Sequence, residues 1–308
     1  MRTEMEKINE ELAKYLKEKD ADNLTDEEFG NALDDFLQQY NEKIGKKPRL
    51  TKDTAKTADD FVELAEYANS DKERIKYLKK AIALEPDNID AQLAYFSATV
   101  TDTDIFLDRL EALKKKAEEG AMAEFLENEM GDFYGIVETR PYMRLCYTRL
   151  QVYTMGGYYR PAIDEAKWIL KINKDDNLGA RYHLIFIYAL MGDEKGAKQL
   201  ARKFKYDMQS TRFLLAFSML YYYLRDRDKA FEYAEQLKAR NKDIVKFTDI
   251  MCDENGDLSE LDDLSIPEDA YQPDTGSDLY TLYDDMPMLL ATRHQYFRWL
   301  QTSLKRMH

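Results

Sequence analysis

Three stretches in the middle of the chain repeat one another at a period of about 34 residues, and this constrains the fold more than any other feature. A small residue opens the second half of each stretch: Ala162 in YYRPAIDEAKWIL, Ala197 in DEKGAKQLARKF and Ala230 in DRDKAFEYAEQL, at spacings of 35 and 33 residues. Each stretch reads as an antiparallel helix pair. One pair alone cannot bury its apolar face, so this period predicts pairs stacked side by side. Only 12 Gly and 7 Pro interrupt the 308 residues, and helix formers are plentiful. The expected fold class is all-α.

Four regions follow from the pattern. Residues 1–50 read as N-terminal helices and a linker. The first helix covers roughly 3–18; the second follows the cap signal of Thr25 with Glu28 and carries Phe29, Leu33, Phe36, Leu37 and Tyr40 at helical spacing. GKKPRLTKDT (45–54) is a basic, proline-containing linker. Helical repeats fill 51–245. A first pair spans 57–91, with Ala65 and Ala68 between its helices and Pro86 ending the second. A degenerate pair at 88–120 has Phe96, Phe106, Leu107, Leu110 and Leu113 as its expected core. Thr139 or Arg140 then caps a helix whose first turn holds Pro141, where a missing N–H is harmless. Regular pairs occupy about 140–174, 177–206 and 211–240. An acidic loop or linker is expected at 246–278, and an amphipathic capping helix at 279–308 that covers the apolar end of the array.

Charge is unevenly spread. Of 59 acids, 13 lie in 249–285, which has no Lys or Arg, leaving 46 acids against 45 bases elsewhere. With no basic excess, nucleic acid is not an expected partner. Asp253, Asn255 and Asp257 match the first positions of a calcium loop, but Leu258 and Leu264 stand where it needs Gly and Glu. No metal or cofactor is expected. Cys146 and Cys252 lack metal or CxxC spacing and read as free thiols of a reducing compartment. The charged start MRTEMEKINEEL is not a signal peptide, and no apolar run suits a membrane span, so a cytoplasmic location is expected. Phosphate-loop, nucleophile-elbow and zinc-protease motifs are missing, and His183, His294 and His308 form no recognisable constellation with either cysteine.

The helix-pair length, Gly157 and Gly192 five residues before Ala162 and Ala197, and the ALEPDN ending at Pro86 resemble tetratricopeptide repeats (TPRs). Leu150 and Ile185 depart from that pattern where it prefers Gly or Ala, and Lys174 and Lys242 replace its closing Pro. ETRPYMR (138–144) followed by NKDDNLGARY (173–182) is similar to a group of bacterial TPR proteins. The resemblance implies a TPR-like α-solenoid, an α-α superhelix flanked by N-terminal helices and a C-terminal cap, that binds peptides or proteins in its concave groove. It also places positions 2, 5, 9 and 12 of each first helix in that groove: Arg144, Tyr147, Gln151 and Thr154; Gly179, Tyr182, Phe186 and Ala189; Arg212, Leu215, Met219 and Tyr222. Arg144, Tyr147, Gln151, Tyr182, Phe186, Arg212, Met219 and Tyr222 are the candidate peptide-binding residues.

Two arginines at one register, flanked by aromatics, suit a protein or peptide partner with acidic side chains or a C-terminal carboxylate, because a guanidinium grips a carboxylate bidentately. The alternative is that these arginines pair with acids of their own chain. The acidic stretch is a solvated flexible linker by default; a sharper expectation is that it docks on the basic ends of other helices or occludes the groove. Protein or peptide binding by an adaptor is the leading function. A peptide-sensing regulator would normally need a DNA-reading domain, and an enzyme would need a deep inter-helix pocket.

Overall fold

A computed structural model describes residues 4–20, 24–44, 50–264 and 272–307. The expected linker residues 45–49 and residues 265–271 of the acidic loop, along with His308, lie outside them. Among the described residues the regular elements are helical, and isolated bridges join Gly131 and Asp132 to Asn173. The chain divides into two compact units: Met1–Cys146 with Ile172–Lys174, and Tyr147–Lys171 with Asp175–His308.

The first unit contains α1 (Glu4–Glu18), α2 (Asp26–Ile44), α3 (Ala58–Glu66), α4 (Asp71–Leu84), α5 (Ile89–Thr99), α6 (Thr103–Glu119) and α7 (Ala123–Asn128). Side chains at the helix starts satisfy N–H groups that have no partner within the helix. Thr25 and Glu28 exchange hydrogen bonds before α2, Thr57 and Asp60 form a capping box at α3, and Ser70, Asn88 and Asp102 cap α4, α5 and α6. α4 ends at Leu84, ahead of Pro86, whose ring disfavours helical geometry in the preceding residue. α3, α4 and α5 share a core built on Phe61, Val62, Ala65, Leu78, Ala81 and Ala91. Leu110 and Leu113 are buried as expected, whereas Phe96, Phe106 and Leu107 are half-buried. Thr139 stands directly before the helix that begins at Arg140, and its buried hydroxyl donates to the carbonyls of Phe133 and Ile136.

The next helix, α8 (Arg140–Met155), is followed by α9 (Tyr159–Ile172), α10 (Ala180–Met191), α11 (Glu194–Lys203), α12 (Thr211–Tyr223) and α13 (Arg227–Arg240). The α8–α9, α10–α11 and α12–α13 turns are built alike. Tyr158, Asp193 and Asp226 N–H groups donate back to the carbonyls of Tyr153, Tyr188 and Tyr221, at 2.8, 2.9 and 3.0 Å. Gly157, Gly192 and Arg225 hold the left-handed position at φ 74°, 67° and 65°. Five residues further on, Ala162, Ala197 and Ala230 are completely buried. The repeat read from the sequence is therefore also a repeat of backbone geometry.

The acidic stretch and the C-terminus differ from expectation. α14 (Ile244–Met251), a 3₁₀ segment (Ser259–Leu264) and the first turn of α15 (Gly276–Asp285) lie in the region 246–278 read as loop or linker. The single capping helix expected at 279–308 is divided into the rest of α15, a 3₁₀ segment from Pro287, a π-turn at Arg293–Phe297 and α16 (Arg298–Arg306). Proline favours the first position of a helical segment and cannot continue a preceding one. α16 packs on α13 and α14, and Lys238 Nζ donates to the carbonyls of Leu304 and Met307 at 3.0 and 2.6 Å, satisfying the open end of α16.

Candidate functional site

α10 and α12 are apolar around nearly their whole circumference, so helices pack against several of their faces. α12 lies against α10, α13 and α15. The expected groove positions are accordingly more enclosed than an open wall requires. Phe186 and Met219 are completely buried and Arg212 is 7% exposed, while Tyr147, Gln151, Tyr182 and Tyr222 keep intermediate exposure.

The chain's own C-terminal region covers the expected inner positions of α12. Tyr296 is fully buried and its hydroxyl donates to the Leu215 carbonyl at 3.2 Å. The Tyr222 ring stands 5.5 Å from Tyr296 and 5.2 Å from Trp299, with the Arg227 guanidinium 3.7 Å over its face. At the start of the helix, the Thr211 N–H and hydroxyl donate to Asp274 Oδ1 at 2.7 and 3.0 Å. Arg240 Nε donates to the other oxygen of Asp274 at 2.7 Å. Burial pushes the Asp274 carboxyl upward, but the bonds from Arg240 and Thr211 outweigh it and hold it below its ordinary value. A carboxylate at a helix N-terminus is also favoured by the helix dipole. Asn241 Nδ2 donating to the Thr275 carbonyl and the Gly276 N–H donating to Asp243 Oδ2 fasten the same segment. Residues 272–285 are thus docked on their own unit, which corrects the default reading of a solvated linker.

Arg212 lies at the centre of this contact. Its Nε donates to Asp278 Oδ1 at 2.7 Å, and its Nη1 stands 3.7 Å from Asp285 Oδ2. The guanidinium also lies 4.7 Å over the Tyr182 ring, on which Arg181 stacks at 4.2 Å. Burial raises the Asp285 carboxyl above its ordinary value, with Asp284 adding to the rise and Arg212 opposing it. The Tyr147 hydroxyl lies 3.1 Å from His183 Nε2, and burial pushes that hydroxyl up, with Asp285 adding and Arg212 opposing. His183 is buried and held down to about 4, first by desolvation and then by the charge of Arg212. Its Nδ1 is buried and has no hydrogen-bond partner among the described residues. At neutral pH His183 is therefore a neutral imidazole beside the Arg212 guanidinium.

Arg144 belongs to the first unit and is held differently. Its Nε and Nη2 grip Asp90 Oδ1 and Oδ2 at 2.9 and 2.6 Å, and its Nη1 reaches both Glu6 oxygens at 2.8 and 3.0 Å. Both recurring arginines pair with acids of their own chain, and those acids are distant in sequence. His183, Asp278, Asp285, Tyr296 and Trp299 were not among the candidates. Only the Tyr147–His183 pair carried a sequence signal, its separation of 36 residues being close to one repeat.

No protein-family model matches the chain, and no curated protein sequence matches it significantly. Among the described residues no helix is long and apolar enough to cross a membrane, and no cluster of His, Cys, Asp or Glu is suited to holding a metal ion.

Proposed function

We propose that the protein is a TPR-like solenoid adaptor that binds an extended, carboxylate-bearing segment of a partner protein along the first helices of its repeats. The helical repeat and its matched turns support the architecture: three turns of one geometry, each followed by a buried alanine, are what stacked equivalent pairs require. One observation carries the ligand chemistry. Arg212, at an inner register position and stacked on Tyr182, already holds carboxylates from a segment of its own chain. A guanidinium braced by an aromatic face is prepared for planar recognition of a carboxylate. In this reading Arg212 supplies the charge, Tyr147, Gln151, Tyr182 and Tyr222 supply half-exposed contact surface, and buried Phe186 and Met219 support the wall. Arg144 braces the fold through Glu6 and Asp90.

The immobilised full-length protein, challenged with a pool of random dodecapeptides, should retain peptides enriched in Asp, Glu or a free C-terminal carboxylate. Retention no greater than on bare matrix, by protein with intact helical circular dichroism, would exclude the proposal.

A further inference from the structure

We infer that Asp285 is an exchangeable internal ligand of Arg212, occupying the place that a carboxylate of a bound peptide takes. This rests on the peptide-binding reading above and adds a regulatory residue to it.

The two aspartates that α15 presents to Arg212 differ in every relevant respect. Asp278 lies in the first turn of the helix, where the dipole favours a negative charge, and its side chain is 4% exposed. Its Oδ1 accepts from Arg212 Nε at 2.7 Å and its Oδ2 accepts the Asp274 N–H at 3.2 Å. Asp278 is therefore part of how the segment folds. Asp285 is the last residue of the same helix, where the dipole disfavours an anion. Its side chain is 29% exposed and its oxygen stands 3.7 Å from Arg212 Nη1, beyond hydrogen-bond distance. Asp284 adds like-charge repulsion, and partial burial adds a desolvation cost. Asp285 is thus held mainly by its attraction to Arg212.

A carboxylate arriving from solvent is not tethered to α15, so it can approach Arg212 Nη1 to full hydrogen-bond distance and geometry. It can replace Asp285 while Asp278, Asp274 and the Tyr182 stack keep the segment and the guanidinium in place. The buried Nδ1 of His183, whose other nitrogen pairs with Tyr147, is a polar atom without a hydrogen-bond partner among the described residues. Wild-type affinity is then the intrinsic affinity reduced by the fraction of molecules in which Asp285 holds the site.

The test compares wild type, Asp285→Asn and Asp284→Asn, each checked for wild-type circular dichroism and melting temperature. Each is titrated with two labelled dodecapeptide pools, one bearing Asp, Glu and free C-termini, the other with Asn and Gln in their place and amidated ends. Asp285→Asn should bind the carboxylate pool about five- to tenfold more tightly, leave the amide pool unchanged, and lose the gain when Arg212→Gln is added. Asp284→Asn, which relieves the repulsion on Asp285, should give no gain. Equal binding of the carboxylate pool by wild type and Asp285→Asn overturns the inference and leaves peptide binding intact. An equal gain for both pools overturns it too, because it reports a loosened fold. If no protein retains either pool, the peptide-binding reading falls and the inference falls with it.

Discussion

Arg144 and Arg212 occupy the same register two repeats apart along the chain, and each is closed by carboxylates from outside the regular repeats. The manner of closure differs. Arg144 is gripped on all sides by Asp90 and Glu6, whose side chains are 4% and 6% exposed. Arg212 has one such partner, Asp278 at 4%, and one loose partner, Asp285 at 29%. An arginine whose acids are both buried, as at Arg144, is structural, since removing it takes the counterion from buried carboxylates, even though the Arg144 side chain is itself 21% exposed. A pair with one loose partner retains a place where another carboxylate can compete. In the proposed reading the same residue type at the same register does two jobs, decided by the burial of what faces it.

The largest effect should come from the tighter cluster. Arg144→Met takes the shared guanidinium from two buried carboxylates, leaving Glu6 with Arg140 at 3.6 Å, and should cost about 3–5 kcal/mol in urea unfolding. Arg212→Met should cost at least about 1 kcal/mol less, because water can reach Asp285. Equal losses would remove the distinction between the two sites.

Acid should act on the Arg212 side through His183. Its folded value of about 4 lies below the unfolded value near 6.5, so the unfolded chain binds the extra proton first as pH falls. The contribution of neutral His183 is complete above about pH 6.5 and is lost as pH drops toward 4, amounting to about 2 kcal/mol between pH 7.5 and 5. His183→Gln, which cannot titrate, should flatten that part of the stability curve. An identical pH dependence in wild type and variant would show that His183 is reached by water and protonates freely in the folded state.

Asp285→Asn should change unfolding stability by less than about 1 kcal/mol, the scale of a partly exposed ion pair. A loss as large as that of Arg212→Met would make Asp285 structural and close the open side of the comparison. The smallest expected effect concerns the third matched turn, where Arg225 sits at φ 65° in the place of Gly157 and Gly192. Arg225→Gly should raise the melting point through a gain of at most about 1 kcal/mol, since glycine adopts this conformation without Cβ strain. A fall in the melting point would mean that the Arg225 side chain contributes more than its backbone strain costs.

What was legible was local. Thr25 with Glu28, the stop before Pro86 and the turns at Gly157 and Gly192 all rest on residues a few positions apart, and all appear where the pattern put helix ends; the caps of α3 to α6 are as local but were not singled out. The buried alanines followed from the period. The candidate site was legible only in part. Register alone selected Arg212, Tyr182 and Tyr147, but it gave no sign that Phe186 and Met219 would be enclosed, because a helix that is apolar all round does not reveal which of its faces a later segment covers. Thr139 stands where the sequence put a helix start, but the reach of its hydroxyl to the carbonyls of Phe133 and Ile136 was not legible.

The sequence by itself determined the helices, their pairing and the recurrence of one turn, because short-range capping, propensity and periodic burial are written in neighbouring residues. Only the tertiary structure decided the fate of the acids between 272 and 285. A run of charge without bases looks solvated until its partners are found, and those partners stand far back along the chain: Thr211 is 63 residues from Asp274, and Arg212 is 66 residues from Asp278. Whether a carboxylate meets water or a guanidinium depends on how distant elements are brought together, so the same acids read as a linker in one dimension and as a bound ligand in three.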